Sequence, residues 1–138
     1  MIIMTDSPTI DDLVKLGISA SFSGKTELAL HAYTKALSLH DTLQPNNEKG
    51  QIHILQGLGQ VLIKLGRHAE ATHVLEKALA LSIRLAPYMR PIIERTLGLA
   101  YLGSGRSEEG KQLFNRANAS LLSDLLGDSS NSDRPSTS

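Results

Sequence analysis

The stretch LGISASFSGKTELALHAYTKAL, residues 16–37, decides the fold. Its centre, Gly24-Lys25-Thr26, spells the end of a phosphate-gripping loop. Such a loop follows a strand and carries a first glycine five residues before the second, so that successive N–H groups cradle the phosphates. That position holds Ser19, and both flanks are helical. Leu13, Leu16, Gly17 and Ala20 fall at i, i+3, i+4 and i+7; Ala29, Tyr33, Ala36 and Leu37 fall at i, i+4, i+7 and i+8. The segment reads as helix, tight turn, helix.

The same sentence is written three times. Gly24-Lys25 recurs as Gly66-Arg67 and Gly105-Arg106, each preceded seven residues earlier by a second glycine: Gly17, Gly59 and Gly98. Leu16, Leu58 and Leu97 stand directly before these glycines, and the spacing between copies is 42 and then 39 residues. Ala71, Leu75, Ala78 and Leu79 repeat the second stripe; the third copy reads Gly110, Phe114, Ala117 and Asn118. Small residues within the stripes let helix backbones approach, with Tyr33, Leu75 and Phe114 filling the space beside them. In each turn the glycine permits the reversal and the basic residue suits the carboxyl end of the preceding helix. Thr26 is expected to cap the helix that follows.

This pattern resembles the tetratricopeptide repeat, over residues 10 to about 121. The period is longer than the family's usual length of about 34 residues, and in that respect the chain is similar to the kinesin light chain type. The resemblance implies an all-α, right-handed α-solenoid of three antiparallel helix hairpins, with an extended C-terminal helix through Leu121, Leu122, Leu125 and Leu126. The expected repeats are about 10–43, 52–85 and 91–121. They form a domain over 9–126, between an N-terminal arm (1–8) and a disordered Ser-rich tail (127–138). Glu94, Gly110 and Asn118 depart from the family pattern and suggest a solvated terminal cap.

Punctuation agrees with these boundaries. Thr9 to Asp12 reads as a capping box, Gln44-Pro45-Asn46-Asn47 breaks units one and two, and Pro87 with Pro91 breaks two and three. Glu27, Glu70, Glu108 and Glu109 fall in first turns, where the helix dipole favours negative charge.

Composition narrows the function. Fourteen basic residues balance fourteen acidic ones, so there is no electrostatic footprint for nucleic acid or an anionic membrane. Cysteine is absent, which removes disulfides, thiolate metal sites and a cysteine nucleophile. No basic, apolar signal segment opens the chain and no eighteen apolar residues run together. A cytoplasmic protein with no membrane insertion is the expectation. His68 and His73 are five apart, not the four that place two imidazoles on one helix face. His31, His40 and His53 lack partners at ligand spacing and read as surface or partly packed residues. Asn118-Ala119-Ser120 spells a glycosylation acceptor but falls on an expected helix. No nucleophile elbow or paired carboxylates stand out, so neither an enzyme nor a cofactor or metal site is expected.

A non-enzymatic scaffold or adaptor follows from the resemblance, with another protein bound on the concave side lined by the first helix of each pair. The stripes left unused for packing are Asp11, Val14, Ile18, Ser21 and Phe22; His53, Gln56, Gln60, Ile63 and Lys64; and Ile92, Arg95, Leu99 and Leu102. Val14, Ile18, Phe22, Gln56, Gln60, Lys64, Arg95 and Leu99 are the expected partner-binding residues. An apolar groove with polar and basic edges suits an amphipathic helix or an extended apolar peptide. The carboxylate clamp for chaperone tails in this family aligns with Val14, Ile18, Gly57, Ile92 and Thr96, none of which matches, so such a tail is not the expected partner. The alternative is self-association into a homo-oligomer through the C-terminal leucines. Nucleotide binding at Lys25 and Thr26 ranks last.

Overall fold

The computed structural model describes residues 7–127. They form three helix hairpins in chain order: α1 (Ile10–Phe22) with α2 (Thr26–Leu43), α3 (Glu48–Lys64) with α4 (His68–Leu85), and α5 (Arg90–Gly103) with α6 (Ser107–Leu125). A short 3₁₀ turn, Pro87–Met89, leads into α5. No strand occurs among the described residues. Each hairpin packs on itself, α2 packs on α3 and α4 on α5, and α3 also meets both α1 and α5. The chain is an all-α solenoid. The outer parts of the expected arm (1–6) and tail (128–138) lie outside the described residues.

The three Gly-basic turns are one structure repeated. Gly24, Gly66 and Gly105 have φ of +77°, +78° and +87°, the left-handed region in which a side chain is strained. The next residue's N–H reaches back to close each helix: Lys25 to the Ala20 carbonyl at 2.8 Å, Arg67 to Leu62 at 2.8 Å, Arg106 to Tyr101 at 2.9 Å. This is a Schellman closure, which satisfies carbonyls that a helix end leaves orphaned. Gly24-Lys25-Thr26 is thus an interhelical bend between α1 and α2.

Two of the three basic residues have a forward partner as well. Lys25, Arg67 and Arg106 occupy the N-cap positions of the following helices without a side-chain cap, and Thr26 is already inside α2. In copies two and three the guanidinium turns forward. Arg67 donates to Glu70 at 2.6 and 2.8 Å and Arg106 to Glu109 at 2.8 and 3.0 Å. The planar fork suits a carboxylate three residues on; Leu28 at the equivalent place denies Lys25 the same pair.

Other ends are capped as written in the sequence. Thr9 and Asp12 form a reciprocal capping box, each side chain accepting the other's backbone N–H at 3.0 Å. These bonds hold the Asp12 carboxyl below its ordinary value. Thr9→Ala is expected to cost about 1 kcal/mol, read as a lower urea midpoint at unchanged slope. Asn47 accepts the Gly50 N–H at 3.0 Å, so α3 starts at Glu48, four residues before the expected 52. Gly127 (φ +100°) follows α6.

The main core includes Ile52, Leu55, Leu62, Leu75, Ile93 and Leu97, with Leu13, Ala36 and Ile54 in a smaller cluster. Fully burying such aliphatic side chains contributes about 1.5–3 kcal/mol each. Three placements depart from the sequence expectation. Leu16 is exposed, since among the described residues no hairpin packs on that side of α1, whereas its counterparts Leu58 and Leu97 are buried. Glu94 is not solvated: it is 6 % exposed and accepts Arg90 Nε at 2.9 Å, with Arg116 at 3.6 Å. A carboxylate tolerates that depth because two cations neutralise it. His40 is buried too, its Nε2 2.7 Å from the Asn47 carbonyl, which ties the end of α2 to the start of α3.

Candidate functional site

A cavity of about 520 Å³ spans the first helices of all three hairpins. From α1 it takes Ile18, Ser21 and Phe22; from α3, Gln60, Ile63 and Lys64; from α5, Arg95, Thr96 and Leu99. Ile18, Gln60 and Leu99 are equivalent positions of the repeat, one below the other, so the stacking itself builds the wall. Phe22 is 88 % exposed and Ile18 45 %. These two side chains leave a large apolar area in water at the rim.

A second cavity of about 650 Å³ adjoins the first and shares Ile18, Tyr33 and Gln60 with it. Val14 and Gln56 lie here with Ile10, His53 and Ile54. Of the expected partner-binding residues, Ile18, Phe22, Gln60, Lys64, Arg95 and Leu99 share the first cavity; Val14 and Gln56 sit in the second. Gln56 is deeper than a surface stripe implies. It is 7 % exposed, and its Nε2 donates to Thr96 Oγ1 at 3.0 Å, linking α3 to α5.

Tyr33 joins the two cavities, and sequence reasoning assigned it only a packing role. Its ring fills the space left by the missing side chains of Gly17 and Gly57, where an added Cβ would stand 2.7 and 2.4 Å from ring carbons. It is 4 % exposed, yet it lines both cavities. Burial pushes its phenol above the ordinary value, so the hydroxyl remains a neutral donor and acceptor near pH 7. The available signal was the comparison of copies: Leu75 and Phe114 fill the same position without a hydroxyl. Thr96 and Phe114 also line the first cavity and were not among the expected site residues.

Charge at the site is one-sided. No carboxylate lines the first cavity, while Lys64 and Arg95 do. Lys64 makes one long contact, 3.5 Å to the Ser21 carbonyl. Every other arginine among the described residues is paired with a glutamate: Arg67, Arg84, Arg90, Arg106 and Arg116. Arg95 has no such partner among them.

Among the described residues no group of three His, Asp or Glu side chains could hold a metal ion, and no helix is long and apolar enough to cross a membrane. What the arrangement offers chemically is an apolar trough with amide, hydroxyl and cationic groups at defined places.

A comparison with curated proteins finds no match. The tetratricopeptide repeat profile matches residues 8–84, from the α1 cap to the end of α4 and more than half of the 138 residues. The third hairpin, outside that range, repeats the Gly-basic turn and the Schellman closure of the first two. With helices, turns and stacking of this kind, the chain belongs to the tetratricopeptide repeat family.

Proposed function

We propose that the protein is a non-enzymatic scaffold or adaptor that holds a segment of another protein in the groove across α1, α3 and α5. Tetratricopeptide repeats commonly serve as protein–protein interaction modules and are typically non-catalytic. The observation that carries the reading is the convergence of three first helices on one largely apolar cavity whose rim includes the exposed Phe22. A groove of this kind gives affinity by removing apolar surface from water, and its polar edge fixes the register of what enters. We place the protein in the cytoplasm as part of the same proposal, since a cysteine-free chain suits a reducing compartment.

The double substitution Ile18→Ser with Phe22→Ser tests it. Both side chains are substantially exposed, so the far-UV circular dichroism should stay helical while partner capture from the native cell falls by at least about tenfold, the equivalent of about 1.4 kcal/mol. Capture at full strength by the double variant would remove the groove from consideration.

Self-association is a second reading. Leu122, Leu125 and Leu126 are exposed at the C-terminal end of α6, and an uncovered apolar end is the usual weakness of a repeat stack. Light scattering on the full chain and on a truncation after Asn118 separates the two readings. A dimer lost on truncation supports association through this end; a monomer in both forms refutes it.

A further inference from the structure

The two ends of the repeat stack differ in chemistry. Each second helix offers one face to the hairpin that follows. Tyr33 on α2 lies against Gly57 on α3, and Glu76 on α4 accepts the Tyr101 hydroxyl of α5 at 3.0 Å. Counting 39 residues on from α4, the same stripe on α6 is Phe114, Asn115, Asn118, Leu121 and Leu125. Tyr33 and Leu75 are buried, but Phe114 at the equivalent place is half-buried. His40 and Ser82 are buried, but Leu121 is half-buried. Ala86 is buried, and Leu125 is exposed. Among the described helices, α6 packs on α5 alone, so this stripe is an inter-hairpin surface with no hairpin on it.

The opposite end of the stack is closed by its own side chains. Where α3 and α5 meet the preceding hairpin they carry Ile54, Gly57 and Val61, then Ile93, Thr96 and Ala100, all buried. At the equivalent places α1 carries Asp12, Lys15 and Ser19, all exposed. Lys15 pairs with Asp11 at 3.3 Å, and Asp12 belongs to the capping box. A second copy laying its α6 stripe there would strip water from two charged groups and set a lysine where Tyr33 meets a glycine. Head-to-tail stacking is therefore unfavourable.

The α6 stripe is, by contrast, suited to itself. One turn before Phe114 it carries its one charge, Lys111, so an antiparallel pair keeps the two lysines at opposite ends. At its middle stands Asn118, where the first two hairpins have Leu37 and Leu79. An amide is donor and acceptor at once, so two of them across a two-fold axis satisfy each other. A single amide inside an apolar helix seam also fixes register, because any slip leaves it unpaired. With Asn118 at the axis, Phe114 meets Leu122 of the second copy, and Leu125 covers the aliphatic stem of its Lys111.

We propose that the open face of α6 is covered by the same face of a second copy, in a two-fold dimer whose α6 helices run antiparallel with Asn118 at the axis. This rests on the self-association reading above and adds its symmetry, its register and the residue that sets them.

The chain has no cysteine, so a single introduced one reports alone. The full-length Asn118→Cys protein, mildly oxidised, should run as a disulfide-linked dimer on a non-reducing gel, while Ser19→Cys on α1 should stay monomeric. Leu125→Asp, at an exposed position, should stay helical and raise the dimer dissociation constant at least about tenfold, since each copy then buries a charge in the seam. Light scattering on the unmodified chain separates the two levels of the claim. A dimer that gives no crosslink at position 118, that links only when the Asn118→Cys and Ser19→Cys proteins are mixed, or that is indifferent to Leu125→Asp, would overturn this arrangement and leave self-association standing. A monomer throughout would overturn both.

Discussion

Tyr33→Ala is expected to lower folding stability by about 3–5 kcal/mol, the range for removing a large buried ring. The ring is 4 % exposed and lies against α1 at Gly17 and α3 at Gly57, so one side chain from α2 joins the first hairpin to the second. Neither glycine can fill the void with a side chain of its own, and the helices would have to shift to close it. Against a total stability of about 5–15 kcal/mol for a domain of this size, that loss is large. Equilibrium urea unfolding reads it. Tyr33→Phe is the control: it keeps the ring and should stay within about 1 kcal/mol, because only the hydroxyl is lost. A Tyr33→Ala protein of near-normal midpoint would mean that the two hairpins are not held together here.

The second large effect is expected at Gly98, where the third hairpin closes backbone to backbone. A Cβ there would sit 2.9 Å from the Phe114 amide nitrogen and 3.0 Å from the Gly110 carbonyl oxygen. Gly110 returns the contact, its own added Cβ lying 2.8 Å from the Gly98 carbonyl. Side chains swing aside at small cost, whereas two helix backbones do not. Gly98→Val therefore has to push α5 and α6 apart, at a cost of about 3 kcal/mol, the upper end for overpacking. At the matching glycine in the second hairpin, Gly59, the nearest atoms to an added Cβ belong to the side chain of Leu75 rather than to backbone, so Gly59→Ala should cost less than Gly98→Ala in the same assay. Equal costs would contradict the closer backbone approach in the third hairpin.

These two sites also show why the fold was legible in the sequence. A repeat writes its packing several times, and coincidence does not reproduce Leu-Gly, then Gly-Lys or Gly-Arg seven residues on, at three places. Periodicity identified the helices, and glycine followed by a basic residue identified the turns. The end effects were harder to read. Leu16 matches Leu58 and Leu97 in sequence but not in burial, because burial depends on whether another hairpin lies alongside. Glu94 looked like a solvated departure from the pattern; Arg90 one turn earlier and Arg116 on the next helix make it a buried ion pair. The forward pairing of Arg67 and Arg106 was present as Glu70 and Glu109 three residues later, and those acids were read only as helix-dipole partners.

The groove was legible as a set of helix faces and less so as a set of atoms. Helical spacing could nominate Ile18, Gln60 and Leu99 because they are equivalent positions on the first helices. It could not locate the hydroxyl of Tyr33, which reaches the groove from a second helix through a gap left by two glycines. Nor could it separate the stripe into the rim, where Phe22 projects, and the floor, where Gln56 is bound to Thr96.

Whether a partner is held in this groove can be read by photo-crosslinking in the cell that makes the protein. The light-activated residue p-benzoylphenylalanine is placed at Phe22 in one version of the full chain and at Ile83 in another. Both positions are exposed, and Ile83 lies on α4, outside the groove. A discrete crosslinked product of higher mass is expected from position 22, disappearing with Ile18→Ser, and none from position 83. A product from position 83 with none from position 22 would contradict binding in the groove.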